Sequence, residues 1–144
     1  MEKRKWLLPA VAVFVVVLLG AAVVFGYAVS DYMFPVAAAI DCPDMESITS
    51  ITLMGNDDTS VTVEIADAEE ILKMIRTAQP TRNWSIQDYP VGEDYYTVEI
   101  DTAEREYRYF VYFENAQAHI ESPYEGVYRT DRQILELIAQ RLGD

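Results

Sequence analysis

The sequence predicts an α+β fold in which an N-terminal transmembrane helix precedes an antiparallel sheet. One long apolar run near the N-terminus carries no charged residue, and the rest of the chain alternates between strand-like and helix-like patterns. The connections between most strand-like segments are short enough for hairpins. We therefore expect the element order β-β-α-β-β-β-β-α after the transmembrane helix, with two helices on one face of the sheet.

The apolar run at residues 6–30 is long enough to cross a bilayer. As a helix it spans about 37 Å, whereas the hydrocarbon core is about 30 Å thick. Basic residues occupy positions 3–5 and Asp31 follows the run. The positive-inside rule then makes residues 1–5 a cytoplasmic stub and puts residues 47–144 outside the cytoplasm. The lipid bilayer is the expected partner of the run itself.

Two other interpretations of this run lead to different mature proteins. A cleaved signal peptide has an apolar core of roughly 7–15 residues, shorter than this run, although Gly26–Ala28 could still be cut. A lipoprotein would need small or apolar residues directly before its cysteine, but Asp41 precedes Cys42. An uncleaved anchor, giving a single-pass protein of the cell membrane, is the interpretation that fits best.

The composition excludes several classes of function. The 144-residue chain has 11 basic and 24 acidic residues and a formal charge of −13; residues 31–144 alone carry −15. This acidic excess argues against nucleic acid as a partner, because phosphates need a basic surface. One cysteine excludes an internal disulfide and a cysteine-rich zinc site, and one histidine excludes a histidine cluster.

The segment at residues 31–46 is predicted to be a linker, because it has two prolines and no periodicity. It contains the single cysteine, Cys42. This residue is either an inert thiol or the link in a disulfide between two anchored copies.

Strands and helices of the external domain follow from periodicity. Val61 and Val63 alternate with polar neighbours, as in a strand with one buried face. The segment Glu106–Glu114 is apolar on both faces, which indicates a central strand. The predicted strands are Ser47–Met54, Thr59–Ile65, a short one at Trp84–Ile86, Tyr95–Asp101, Glu106–Glu114 and Ala118–Glu121, and the predicted helices begin near Asp67 and Thr130.

The sequence carries little that indicates catalysis. His119 and Ser122 are the only hydrolase-like pair, and they lie on opposite faces if their strand is regular. Asp57 and Asp58 are explained by turn chemistry rather than by a cation. No phosphate loop or dinucleotide fingerprint is present. We therefore assign no catalytic, cofactor-binding or metal-binding residue and expect a protein that is not an enzyme.

Two short motifs are more specific. They are Ser85-x-x-Asp88-x-Pro90 and Ile120-Glu121-x-Pro123-Tyr124-x-Gly126-Val127-Tyr128. With them, the segment from Ile48 to Leu142 resembles an extracytoplasmic domain family of Gram-positive bacteria (Firmicutes) of unknown function. The resemblance implies a domain that follows a membrane anchor or lipoprotein signal, in some cases attached to membrane regulators. It brings no catalytic residues with it.

The second motif also predicts a turn. Pro123 and Gly126 are its structural residues, with a type II turn over Tyr124–Val127 that needs a positive φ at Gly126. The candidate binding surface consists of Trp84, Asp88, Tyr124, Glu125 and Tyr128. In the alternative interpretation the two tyrosine rings pack beneath the turn, and Trp84 ties its loop to the sheet.

These observations favour a single-pass, membrane-anchored, non-catalytic domain outside the cytoplasm that senses or binds a ligand. Another envelope or membrane protein is a candidate partner. The alternatives are an envelope hydrolase and a structural accessory protein of the envelope.

Overall fold

The computed structural model describes residues 3–33, 35–57, 59–92 and 94–143. The chain divides into two units, Met1–Pro35 and Val36–Asp144. The first unit contains one helix, α1 (Lys3–Met33). Its stretch from Val11 to Met33 is long and apolar enough to cross a membrane. An N-terminal apolar helix is thereby confirmed, and it continues three residues beyond the predicted end.

The second unit is built on one antiparallel sheet of seven strands in the order β2-β1-β4-β5-β6-β7-β3. Every neighbouring pair is antiparallel. The elements are a 3-10 turn at Met45–Ser47, β1 (Ile48–Met54), β2 (Ser60–Val63), α2 (Glu69–Arg76), β3 (Gln79–Pro80), β4 (Tyr95–Thr102), β5 (Glu106–Glu114), β6 (Gln117–Ser122), β7 (Gly126–Thr130) and α3 (Gln133–Leu142). The predicted α+β class is confirmed.

The main core lies between one face of the sheet and the two helices α2 and α3. Strand alternation explains which side chains reach it, since Val98 and Ile100 of β4 point to the helices and Glu99 between them points away. In β5 both faces are covered, because Tyr109 and Phe110 are each almost fully buried. The core side chains from helices and sheet include Ile51, Leu53, Ile71, Leu72, Ile75, Val98, Ile100, Tyr109, Val111, Ile120, Tyr128, Ile134 and Ile138.

The predicted strand at Trp84–Ile86 is wrong. These residues lie in a loop, and the strand that follows α2 is instead β3 (Gln79–Pro80), which pairs with β7. It is an edge strand, where the missing N–H of Pro80 breaks no ladder. The other edge of the sheet is β2. With β7 added, the order in this unit is β-β-α-β-β-β-β-β-α.

The turn predicted over Tyr124–Val127 is also wrong. Gly126 begins β7 and does not have a positive φ. The turn lies earlier, where Glu125 N–H donates to the Ser122 carbonyl (3.1 Å) and Tyr124 has φ of 62°. Proline at the second position and a positive φ at the third are the pattern of a type II turn. Gly126 is needed for another reason: a Cβ there would lie 2.8 Å from the Cβ of Ala37.

Residues 36–46, predicted to be part of the linker, pack into the second unit. Ala37 and Ile40 are buried in its core. The Ala37 N–H donates to the Thr81 carbonyl (2.9 Å), and the hydroxyl of Tyr109 donates to the Asp41 carbonyl. The compact unit therefore begins at Val36 rather than at residue 47.

Substitution of Ala116 by glycine is expected to raise the free energy of unfolding by about 1 kcal/mol. Asn115 and Ala116 form the two-residue connection between β5 and β6, and both have positive φ (51° and 61°). This is the conformation of a type I′ hairpin turn, which favours glycine. The measurement is denaturant unfolding of the full chain in detergent. Ala103→Gly is the matched control, since Ala103 is exposed in a turn without positive φ; equal effects of both changes would contradict the prediction.

Candidate functional site

A long loop, residues 81–92, covers the face of the sheet opposite to the helices. The Tyr89 ring of this loop lies 5.6 Å from the ring of Phe110 on β5. Phe110 pairs with Glu121 of β6, and both point away from the helix layer. The sheet is therefore covered on its second face as well, by irregular chain rather than by secondary structure.

A buried polar contact fastens this loop to β6. The Ser85 hydroxyl donates to Glu121 Oε1 (2.6 Å), and the two residues are only 4% and 5% exposed. The Tyr112 hydroxyl donates to the other carboxylate oxygen (3.3 Å). Burial, and then the charge of Glu121, raise the pKa of Tyr112, which stays a neutral donor. Glu121 thus holds the loop through the Ser85 hydroxyl, and its second carboxylate oxygen is held by Tyr112 of β5.

A second set of contacts fastens the loop to the turn before β7. The Tyr124 hydroxyl donates to Asp88 Oδ1, and this hydrogen bond raises the pKa of the exposed phenol. Val127 N–H donates to the Asn83 carbonyl (2.9 Å). Together with the Ser85–Glu121 bond, these contacts join the Ser-x-x-Asp-x-Pro segment to the Ile-Glu-x-Pro-Tyr segment. The two motifs that stood out in the sequence are therefore one structural feature.

Beside these contacts lies a cleft of about 390 Å³, which we call the loop–turn cleft. Its volume is in the range of small-ligand sites. The loop, the start of β5, the turn before β7 and the segment at residue 41 form its walls. Its lining residues are Asp41, Asp88, Tyr89, Arg105, Glu106, Tyr107, Arg108, Tyr109, Ser122, Pro123 and Glu125.

Two arginines of the cleft are matched by carboxylates. Arg105 pairs with Asp41 and lies over the Tyr107 ring, 4.0 Å from its centroid. Arg108 lies 2.8 Å from both Glu99 and Glu106. These ion pairs and the stacking contact hold the guanidinium groups along the wall formed by the start of β5.

The remaining carboxylates of the cleft accept hydrogen bonds from hydroxyl groups. The Ser122 hydroxyl donates to Glu125 Oε2 (2.8 Å), and Asp88 accepts from Tyr124. A hydroxyl donor leaves the negative charge of its acceptor in place. Asp88 and Glu125 therefore give the cleft an excess of negative charge beside several tyrosine rings.

The hydrolase-like pair of the sequence, His119 and Ser122, is not brought together by the fold. His119 stacks on Tyr112 (5.5 Å between ring centroids), and its buried Nδ1 has no hydrogen-bond partner among the described residues. Ser122 is bonded to Glu125 and lies on the other face of β6 from His119. In the part of the chain that the structure describes, no three His, Cys, Asp or Glu side chains are placed to hold a metal ion.

The predicted surface residues divide between the two faces of the sheet. Asp88 and Tyr124 are exposed and in contact, Glu125 lines the cleft beside Pro123, and Trp84 is 52% exposed on the loop. Tyr128 is 1% exposed and points into the helix-side core, where it pairs with Ile120. Its inclusion in a binding surface was wrong, because β7 puts it on the opposite face.

The charged cleft residues that the sequence analysis missed are Asp41, Arg105, Glu106 and Arg108. Asp41 belongs to the predicted linker and Arg105 to the predicted connection before residue 106. Glu106 and Arg108 belong to a strand pattern whose polar positions look like an ordinary solvated face. One local signal could have indicated the contact between Arg105 and Tyr107. The two residues are two positions apart, which is the spacing of side chains on the same face of a strand.

Cys42 lies at the edge of the core and is partly buried. Burial raises the pKa of its thiol, although the nearby Arg76 acts in the opposite direction. A raised pKa means less thiolate at neutral pH, which slows disulfide exchange. A dimer linked through Cys42 stays a prediction.

Fold and site together define a class of protein: an α+β domain with an all-antiparallel sheet and a charged cleft, preceded by one helix that is long enough to span a membrane. The chain belongs to the DUF5301 family, whose description reads "Domain of unknown function (DUF5300)", and the match covers residues 36–129. The matched segment starts where the second unit starts and ends within β7.

A solved structure is similar in fold: the NMR structure of a protein from Ruminococcus gnavus. It has a TM-score of 0.57 and 29% sequence identity, covering 67% of this chain and 99% of that chain. No curated protein matches this chain. The resemblance to a domain family of unknown function is confirmed, whereas the two loop motifs as its signature stay a prediction.

Proposed function

We propose that this protein is a single-pass membrane protein whose second unit lies outside the cytoplasm and binds a partner without catalysis. The helix α1 would be the anchor, and the basic residues at positions 3–5 would hold its N-terminus in the cytoplasm. The hydrolase alternative receives no support from His119 and Ser122, which lie on opposite faces of β6.

The observation that carries the binding proposal is the loop–turn cleft. Asp88 and Glu125 supply negative charge, and the tyrosine rings on its walls offer faces for a cation. The net charge of −15 on residues 31–144 would draw a positively charged partner toward the domain. We therefore propose that the ligand is a lysine or arginine side chain presented by another envelope or membrane protein.

The topology is tested by reporter fusions after the C-terminal residue, Asp144. A reporter that is active only outside the cytoplasm is the expected result. Activity inside the cytoplasm would overturn the proposed orientation, and with it the assignment of the cleft to envelope partners.

The double variant Asp88→Asn/Glu125→Gln is expected to bind trilysine about tenfold more weakly than the natural chain, a loss of ~1.4 kcal/mol. Both changes keep a hydrogen-bond acceptor and remove only the charge. Binding is measured by calorimetry on the full chain in nanodiscs at low ionic strength, with triply acetylated trilysine as the neutral ligand.

The matched control is Glu69→Gln/Glu136→Gln, which removes two charges from exposed positions on the helix layer. We expect this control to weaken binding less than twofold. If both double variants weaken binding equally, the attraction belongs to the whole acidic surface and the cleft is not the site.

A further inference from the structure

The exposed apolar side chains of the second unit are concentrated at one place. Four of them belong to the loop segment Trp84–Val91, with Ile86 and Val91 as much as 82% and 88% exposed. Phe113 lines a groove together with Trp84 and Val91, and Tyr124 is bonded to Asp88 within the segment. We call this set, without the cleft residue Tyr89, the apolar loop patch; its members are Trp84, Ile86, Val91, Phe113 and Tyr124. A patch of this kind marks a contact site.

The loop that carries most of the patch begins next to the point where the chain enters the second unit. Helix α1 ends at Met33 and the compact unit begins at Val36. Three Cα steps separate these residues, which reach at most about 11 Å. Ala37 is hydrogen-bonded to Thr81, two residues before Asn83 and three before Trp84. If α1 spans a membrane, the start of the loop is thereby kept close to the lipid surface.

The composition of the patch suits a membrane interface. Tryptophan and tyrosine favour the headgroup region, where the ring is in an apolar environment and its polar atom stays hydrated. Ile86 and Val91 add aliphatic surface, and Val36 at the chain entry is also exposed. The acidic domain would be repelled by anionic lipid on its own. A short tether overcomes this repulsion, because it gives the patch a high effective concentration at the surface.

We infer that the apolar loop patch inserts into the lipid interface of the membrane that α1 spans. The inference rests on the proposed anchoring through α1. The occupant is lipid, and a protein partner on the patch is the alternative outcome of the test below.

The test uses the full chain in nanodiscs that contain bromine-labelled lipids, which quench tryptophan fluorescence at short range. The chain has two tryptophans, so Trp6→Phe leaves Trp84 as the single reporter. We expect at least twofold quenching by lipids brominated near the headgroup. The control is Trp6→Phe/Trp84→Phe/Glu136→Trp, which puts the ring at an exposed position on the helix layer and should show little quenching.

A second variant removes the apolar contacts and keeps the fold. Ile86→Ser/Val91→Ser changes two highly exposed side chains, and we expect it to reduce the quenching of Trp84 to the level of the control. Unchanged quenching in this variant would overturn the inference, as would equal quenching of the rings at positions 84 and 136.

Cleavage of the anchor is detected separately, from the mass of the chain recovered from cells. A chain cut near Gly26–Ala28 would overturn the proposed anchoring and the lipid contact with it. An intact, nanodisc-bound chain whose Trp84 is not quenched would overturn the lipid contact alone and assign the patch to a protein partner.

Discussion

Substitution of Gly126 by valine is expected to lower the free energy of unfolding by about 3 kcal/mol. A Cβ at this position would lie 2.8 Å from the Cβ of Ala37, and the Asn83 carbonyl and the Tyr128 hydroxyl are both 3.6 Å away. The branched side chain must therefore push Ala37 away from β7 and weaken the hydrogen bond of Ala37 to Thr81. The measurement is denaturant unfolding of the full chain in detergent.

A double-mutant cycle shows whether the close approach is the cause. Gly126→Ala alone should destabilise the protein by about 2 kcal/mol, and Ala37→Gly in the same chain should recover at least half of this loss. The first change adds the carbon atom that collides, and the second removes the carbon atom with which it collides. Strictly additive effects would contradict the explanation and would point to backbone flexibility at residue 126.

Substitution of Glu121 by alanine is expected to destabilise the protein by about 3 kcal/mol. It removes the acceptor of two hydroxyl groups, those of Ser85 and Tyr112, in a buried position. Glu121→Gln retains one acceptor oxygen and should have less than half of this effect. The same loss should loosen residues 81–92, which hydrogen exchange of their amide groups would detect.

Glu114→Ala is the control for this experiment. Glu114 is an exposed carboxylate at the end of the neighbouring strand β5, so its removal changes the net charge equally. We expect a change within 0.5 kcal/mol for this variant. If the losses at positions 114 and 121 were equal, the buried contact between loop and sheet would contribute nothing to stability.

The strands with regular alternation could be predicted from the sequence. β1, β2, β4 and β5 were assigned with nearly correct bounds because their polar and apolar residues alternate with a period of two. Hairpin turns join β1 to β2 and β4 to β5. Apolar residues on both faces of β5 also predicted correctly that both of its faces are covered. In these elements local pattern and tertiary environment agree.

The elements that the sequence analysis missed are those whose secondary structure is determined by packing against distant segments. β7 was interpreted as a turn because Pro123 and Gly126 are turn-forming residues. The positive φ falls on Tyr124, and Gly126 is instead required by Ala37, which is far away in the sequence. A contact between such distant segments leaves no periodic signal.

The candidate site could be predicted only in part, because it also depends on contacts between segments that are distant in the sequence. The contact between Asp88 and Tyr124 joins two motifs that the sequence had already singled out. Only a strand fixes the face of the sheet on which Tyr128 lies. Because residues 126–129 were predicted to be part of a turn, the burial of Tyr128 could not be derived. Asp41 entered the site only because the segment before β1 folds onto the domain.

The two edge strands have a consequence for molecules that share one membrane. If α1 anchors the chain as proposed, the copies move in two dimensions at high local density, a condition in which open strand edges join neighbouring sheets into aggregates. Here one edge has four residues, and the other has two and ends in Pro80, which has no N–H to offer. Neither edge is long enough to form an extended ladder, so crowded copies can remain separate folded domains.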